Sequence, residues 1–576
     1  MGDVAIGHLR GEGQPFRTAE ARNELMDGTM KYGRGRRLGA VVTAVLLVVA
    51  LVATACGKQS SGATSATTST LPVKPVRGGS LVMGLAGETD GWIPSRNLWG
   101  PSAYNVARAI YDPLTVVDTH GVARPYLVQS ITPSDNYTKW IFTIRPGVTF
   151  HNGDPFTTEA LALNLKQLQL SLLTAISFKP VESVAVLNDK QVQVVLKQRW
   201  TTFPQLLAGQ AGYIVHPGLL DGSLPADQPI GTGPFKFDKW TPDKQLDVVR
   251  NEHYWRKGLP YLDQVEFRPM SDESTRLASL RSGDVDLIHT ASPTEIASFG
   301  KQLNAGEGLY VVPDQSSPDE MTVLFNTTGN PDNPDKISAD EDVRRALQLG
   351  TNREAIVQGL YKGFFEIADN PFAKREYWYS PTKWPAYDKA KASQLVKDWE
   401  KKHGKKLKFT LTIVANSDNS ALAQVLQSQW KEIGVDVKIE SIDEQLFAQR
   451  LIKGSFDGML TPYFHGSDPD ADYPFWNPMD VGKGTVNLSR YTSPTAKAGL
   501  NAGRTLVDAS QRKAAYAKVW QDFANHAAYI WIYHLNYVLV AADNVHGIDR
   551  FTFPDGSPAE PMTWGAVFLT EAFKTT

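Results

Sequence analysis

The sequence predicts a mixed α/β protein with more than one sheet. Three observations carry this. A β-α-β pattern lies between residues 409 and 439, an alternating strand ends before a Pro-Gly turn at 146–147, and 576 residues exceed one ordinary domain, leaving room for roughly three or four lobes. No internal repeat period is present. Composition is that of a soluble globular body, 42% apolar and 21% charged with a net charge of −2. No basic patch points to a nucleic-acid partner, and a single cysteine rules out an internal disulfide framework. The fourteen tryptophans are read either as large cores or as aromatic platforms around a ligand.

The elements follow in order. Lys31 to Arg37 is positively charged, and Leu38 to Ala55 is an uncharged run ending in small residues just before Cys56, the only cysteine. A charged start, an apolar middle and a small-residue end read as a secretory signal peptide, with a plain membrane anchor as the alternative. Residues 1–29 precede a signal of normal proportions, so Met30 or Met26 is expected as the true start. The segment 56–75 is rich in Ser, Thr, Gly and Ala and reads as a flexible tether. Seven basic and five acidic residues, out of 59 and 61, lie in 1–55, so the remainder carries a net charge of −4.

Within the body, Ser80–Leu85 is a strand. Residues Tyr137–Ile144 alternate and then turn at Pro146-Gly147. Gly147 and Gly153 bracket a hairpin, in which His151 is read as a hydrogen-bonded turn residue and Arg145 as held by a local carboxylate. Gly231, Gly233 and Pro234 suit a tight turn where the backbone passes another element. Thr351 and Glu354 form a capping box for a helix running to about Leu360. Phe409–Ile413 is a strand, and Leu422, Val425, Leu426, Trp430 and Ile433 recur at helical spacing. Gly434 stops that helix, and Val435–Ile439 is the next strand.

The stretch HGSDPDADYPFW, His465 to Trp476, places three acids at alternate positions. A calcium loop starting at Asp468 would need Gly at position 6 and Glu at position 12. Tyr473 and Met479 stand there, so no metal is expected. No Gly-x-Ser-x-Gly elbow, His-Glu-x-x-His or phosphate-binding loop occurs, and the cysteine belongs to the signal. The chain is therefore expected not to be an enzyme and to need no cofactor. Two readings remain for the stretch: Asp468 and Asp470 capping surface turns, or a loop lining a binding cleft.

Several stretches, in order, resemble one family. They are Ala109–Thr115, Gly121 with Pro125–Leu127, Ile144–Thr157, Pro229–Phe235, Arg250–Trp255, Arg276–Ile288, Asp342–Leu347 with Asn352-Arg353, Tyr387–Ala392 and Arg512–Tyr516. The family is the family 5 extracellular solute-binding proteins of ABC importers. Cys56 after its small residues likewise resembles a bacterial lipoprotein acylation site, with Ala53 where leucine is usual. The resemblance implies a bilobal, large type II periplasmic-binding-protein-like fold of two mixed α/β lobes. Lobe I would comprise 76–312 and 535–576 with an extra subdomain in its first half, and lobe II 313–534. Hinge closure over a solute would then signal to an ABC permease.

In the family's peptide-binding members an acid three positions before an Asp-Pro or Glu-Pro step grips the free α-amine. Here that position is His465, before Asp468-Pro469. A neutral imidazole offers one acceptor and an imidazolium repels an amine, so this departure weakens a free-peptide assignment, although Asp468 could serve from a shifted loop. The expected ligand-lining residues are His465, Asp468, Tyr463, Trp476, Trp92, Trp99, Tyr104 and Trp378. The expected role is a monomeric lipid-anchored protein on the extracytoplasmic face of the cell membrane that binds a small solute, first of all an oligopeptide. Its rivals are a binder of another solute such as a sugar, a family-fold regulator of envelope assembly without an import role, and an envelope hydrolase.

Overall fold

A computed structural model describes residues 73–576 apart from 98, 172–173, 294, 297–307, 315–318, 464–465, 479–485 and 564. The signal peptide, Cys56 and nearly all of the tether lie outside the described residues, and so does His465. The class is mixed α/β, as the sequence predicts, with three principal sheets.

A seven-stranded sheet has the order 309–313, 538–542, 287–290, 80–85, 264–269, 245–250 and 235–241. A five-stranded sheet runs 436–442, 408–414, 458–463, 319–325 and 529–535. A four-stranded antiparallel sheet, 128–134, 139–144, 191–196 and 181–188, is built from one continuous stretch of chain and has its own core around Trp140, Phe142, Trp200 and Phe203. The backbone passes between the two large sheets twice. Strand Leu309–Pro313 belongs to the first and Asp319–Phe325 to the second, while Tyr529–Leu535 belongs to the second and Val538–Ala542 to the first. Their ends are paired: Pro313 pairs with Val538, Asp319 pairs with Leu535, and the Asp314 N–H donates to the Tyr537 carbonyl at 2.9 Å.

The β-α-β unit forms as its periodicity dictates. Lys408–Val414 and Asp436–Ile442 are parallel, joined by helix Ser417–Glu432, whose cap Asn416 accepts from the Asn419 N–H. Leu422, Leu426 and Trp430 are buried against the sheet, each contributing roughly 1.5–3 kcal/mol by removal from water. The helix predicted from Thr351 begins one residue later than the capping box suggests. Asn352 is the cap, accepting from Ala355 N–H, and the helix is Arg353–Tyr361. Thr351 is otherwise engaged: its hydroxyl donates to the Leu347 carbonyl at 2.7 Å and accepts from the Trp430 indole at 2.9 Å.

The dispersed stretches of the first half converge on one buried knot. Asp112 accepts from the Thr232 hydroxyl at 3.0 Å, the Tyr254 hydroxyl at 2.9 Å and the Trp255 indole at 2.8 Å. Burial pushes its carboxyl up to about 6, against the pull of those three donors. His151 accepts from Gly231 N–H through Nδ1 and donates through Nε2 to the Gly233 carbonyl. Burial lowers it to about 4, which suits the neutral ring this pattern requires. Arg145 does not meet the expected carboxylate. It lies over the Trp255 ring at 4.8 Å and donates to the carbonyls of Tyr126 and Val128 at 3.0 and 3.3 Å. The reason is local: the turn leaves strand-end carbonyls there that need donors.

Gly231 has no room for a side chain, since a Cβ there would sit 2.2 Å from the Ile110 carbonyl oxygen. Gly147, at φ +77°, faces open space. Gly147→Ala should cost about 1–2 kcal/mol for its left-handed backbone. Gly231→Ala should cost more, about 3–5 kcal/mol, because backbone must move. Urea-denaturation midpoints of the two variants measure the difference, and equal midpoints would contradict the close approach.

Candidate functional site

The acidic stretch follows directly from strand Gly458–Tyr463 of the five-stranded sheet. That strand ends beside the first passage between the sheets, because Tyr463 pairs in register with Glu320 and Glu320 with His534. Asp468 caps a 3-10 turn over Pro469–Asp472, accepting from the Asp470 N–H at 2.9 Å. Asp472 accepts from the Gly466 N–H at 2.9 Å. Asp468 is a cap, as the spacing suggests, whereas the Asp470 carboxylate turns to side chains of other elements and Asp472 takes the second backbone N–H; none lies at the surface, Asp468, Asp470 and Asp472 being 1%, 2% and 5% exposed.

Burial at this level requires partners for charge, and the carboxylates diverge to find them. Asp468 receives two N–H groups of Arg512, at 2.9 and 2.5 Å, and the Gln205 amide at 3.4 Å. Burial alone would depress Arg512, but the adjoining Asp468 raises it above its ordinary value. Asp470 accepts from Arg504 Nε at 2.7 Å and from the Trp200 indole and Thr202 hydroxyl. The Arg504 guanidinium stacks on the Trp200 and Tyr473 rings at 4.2 and 3.7 Å. Each carboxylate tied to an arginine fixes loop shape; neither is arranged to shuttle protons. Removing Arg512 would strand Asp468, and such losses cost about 3–5 kcal/mol.

The aromatic candidates fall into two groups in separate hydrophobic clusters. Tyr463 stacks on Trp476 at 5.9 Å, and Trp476 meets Trp520 edge-on at 4.9 Å. Trp378 meets Tyr516 edge-on and lies under the Arg512 guanidinium at 4.6 Å. Asp468, Trp476 and Trp378 thus meet helix Ala509–Asn525, and Tyr463 is joined to it through Trp476. The second group packs on the seven-stranded sheet. Trp92 contacts Trp240 at 5.6 Å, and Trp99 stacks on Tyr111 at 6.1 Å and donates to the Gly91 carbonyl. Tyr104 is half-buried, and its hydroxyl accepts from the Gln210 N–H at 3.1 Å. Trp92, Trp99, Trp378, Tyr463 and Trp476 are all 6% exposed or less. In this conformation they are supported by other side chains of the protein.

Sequence reasoning missed Trp200, Thr202 and Arg504, which reach Asp470 from far along the chain. It also missed the polar lining of the passages. Asp314, Asp319, Glu320 and His534 are all buried at 1% exposure or less. The signal was present in Asp319-Glu320, two acids opening an otherwise apolar strand.

The comparisons with known proteins agree on kinship. The family model described as bacterial extracellular solute-binding proteins, family 5, matches residues 123–485. The glutathione-binding protein GsiB of Pectobacterium atrosepticum is 27% identical over 473 residues, covering 78% of this chain and 87% of that one. The oligopeptide-binding protein AppA of Bacillus subtilis is 26% identical over 550 residues, covering 89% and 96%. The structure of AppA in complex with a nonapeptide superposes with a TM-score of 0.72 at 23% identity, covering 87% of this chain and 100% of that one. The matched stretch takes in the hairpin around His151, the Asp112 knot's partners and the acidic loop together, and the chain belongs to the family 5 bacterial extracellular solute-binding proteins.

Proposed function

We propose that this protein captures a small solute, in the first place an oligopeptide, between two lobes and presents it to an ABC import permease, while lipid on Cys56 holds it at the outer face of the membrane. Lobe I would hold the seven- and four-stranded sheets and lobe II the five-stranded sheet. The observation carrying this reading is the pair of passages at 313–319 and 535–538, with the loop from Tyr463 starting beside them. Two connections whose ends pair with each other, between sheets that are otherwise separate, are what a hinge requires. The names of AppA and GsiB, an oligopeptide-binding and a glutathione-binding protein, support a peptide as the solute.

Recognition of the free α-amine is where this chain departs from peptide-binding relatives. His465 replaces the acid, and Asp468 is committed to Arg512. Glu320 is buried and pairs in register with Tyr463. The same substitution favours the rival reading, an envelope-assembly regulator that takes up no peptide.

Four measurements test this. A thermal-shift screen over glutathione, di- to nonapeptides and sugars should raise the unfolding temperature by at least about 2 °C for a peptide at saturating concentration. No shift with any peptide, together with native mass spectra free of small ligands, would favour the regulator. His465→Asp should tighten peptides with free N-termini about tenfold and leave N-acetylated ones unchanged, and calorimetry on matched pairs reads the split. Cys56→Ala should abolish fatty-acid labelling. A variant still labelled would move the anchor elsewhere.

A further inference from the structure

The edge of the four-stranded unit is joined to the acidic loop by one contiguous set of buried and half-buried polar contacts. Trp200 and Phe203 are rooted in that unit's core, 5.2 Å apart. Between them, the Thr201 N–H and hydroxyl both reach the Arg504 carbonyl, at 3.0 and 2.9 Å, and the hydroxyl also reaches the Leu506 carbonyl at 2.9 Å. The Thr202 hydroxyl accepts from the Trp200 indole at 3.1 Å and donates to Asp470. Gln205 bridges further along, donating to the Gly121 carbonyl at 3.0 Å and to Asp468 at 3.4 Å, while its own oxygen accepts from Ala123 N–H at 2.6 Å. Gly121 apart, every receiver on the other side is Asp468, Asp470 or the end of helix Pro494–Thr505 and the residue that caps it.

Asp470 is the centre of this contact. Without Trp200 and Thr202 its second oxygen would lose both donors, and a carboxylate that is 2% exposed cannot stay buried on one arginine contact alone. The Arg504 guanidinium would also lose one of its two ring faces. Loop shape and docking of the four-stranded unit are therefore a single cooperative event.

We infer that Trp200 and Thr202 are positioning residues: through Asp470 they hold the loop 466–476 in its binding shape, so that the loop orders only when the four-stranded unit is docked on it. A role in solute capture rests on the two-lobed reading above, whereas the clasp itself does not. In that setting the clasp would favour the closed form, and a solute would bind more tightly to a loop already shaped.

The test is hydrogen–deuterium exchange on the full-length protein without solute. Thr202→Val keeps the side chain's shape and removes the donor, and Thr202→Ser keeps the donor and removes a methyl group. In Thr202→Val, peptides covering 199–207 and 466–476 should exchange about tenfold faster together, with 408–442 unchanged as a control for the fold. Thr202→Ser should behave as the wild type. Gln205→Met, which breaks the neighbouring contact with Asp468, should give the same pattern at about threefold. The inference is overturned if 466–476 keeps its wild-type exchange in Thr202→Val and Gln205→Met, or if Thr202→Ser loosens the loop as much as Thr202→Val. Because no solute is present, a failed peptide screen leaves this result standing, and a failed clasp leaves the peptide screen to decide the function.

Discussion

Two neighbouring backbone segments carry the chain between its large sheets, and much else in the molecule follows from that constraint. They are hydrogen-bonded to each other at Asp314 and Tyr537, and strand pairs flank them on both sides. A chain that crosses in one place can concentrate bending there without breaking either sheet. It also gathers polar residues where the sheets part: Asp319, Glu320 and His534 sit on strands that continue into apolar cores, and Asp314 directly follows one. Buried charge is expensive and has to be offset by neighbouring groups.

The acidic loop shows the same economy on a smaller scale. Three aspartates at alternate positions suggest one shared ligand, yet each takes a different partner: Arg512, Arg504 and the Gly466 N–H. Proline at 469 makes this possible by setting the turn that points Asp468 and Asp470 apart. Both arginines come from the helical pair Pro494–Thr505 and Ala509–Asn525, so one supersecondary unit supplies the charge complement of the loop, while Trp200 and Thr202 complete the surroundings of Asp470.

What was legible in the sequence was local. Strand Ser80–Leu85 and the unit from 408 to 442 follow from periodicity, and the crowding at Gly231 follows from residue type. The helix cap slipped from Thr351 to Asn352 because two adjacent polar residues fit one pattern, and a distant indole, Trp430, decided between them. Arg145 found the carbonyls of Tyr126 and Val128 in place of a carboxylate. The contact between Trp200 and Asp470 spans 270 residues, and no spacing rule reaches that far. Resemblance to the family bridged part of this gap, since it marked Arg512 and the stretches around Asp112 without saying that they touch.

The first helix and the last segment of the chain have a joint consequence. Arg108, in helix Pro101–Ile110, is buried against Phe568 and donates to the Ala566 carbonyl and the Thr563 hydroxyl. Strand Val538–Ala542 sits inside the seven-stranded sheet between strands from 309–313 and 287–290. The sheet that begins at Ser80 is therefore finished only by residues more than 450 positions later. A chain emerging N-terminus first can assemble its four-stranded unit at once, but must keep its first strand and helix waiting until synthesis or translocation is nearly complete. Such late, non-local closure slows folding and prolongs exposure of apolar surface, so premature release from whatever carries the nascent chain would be costlier for this protein than for one whose domains close in sequence.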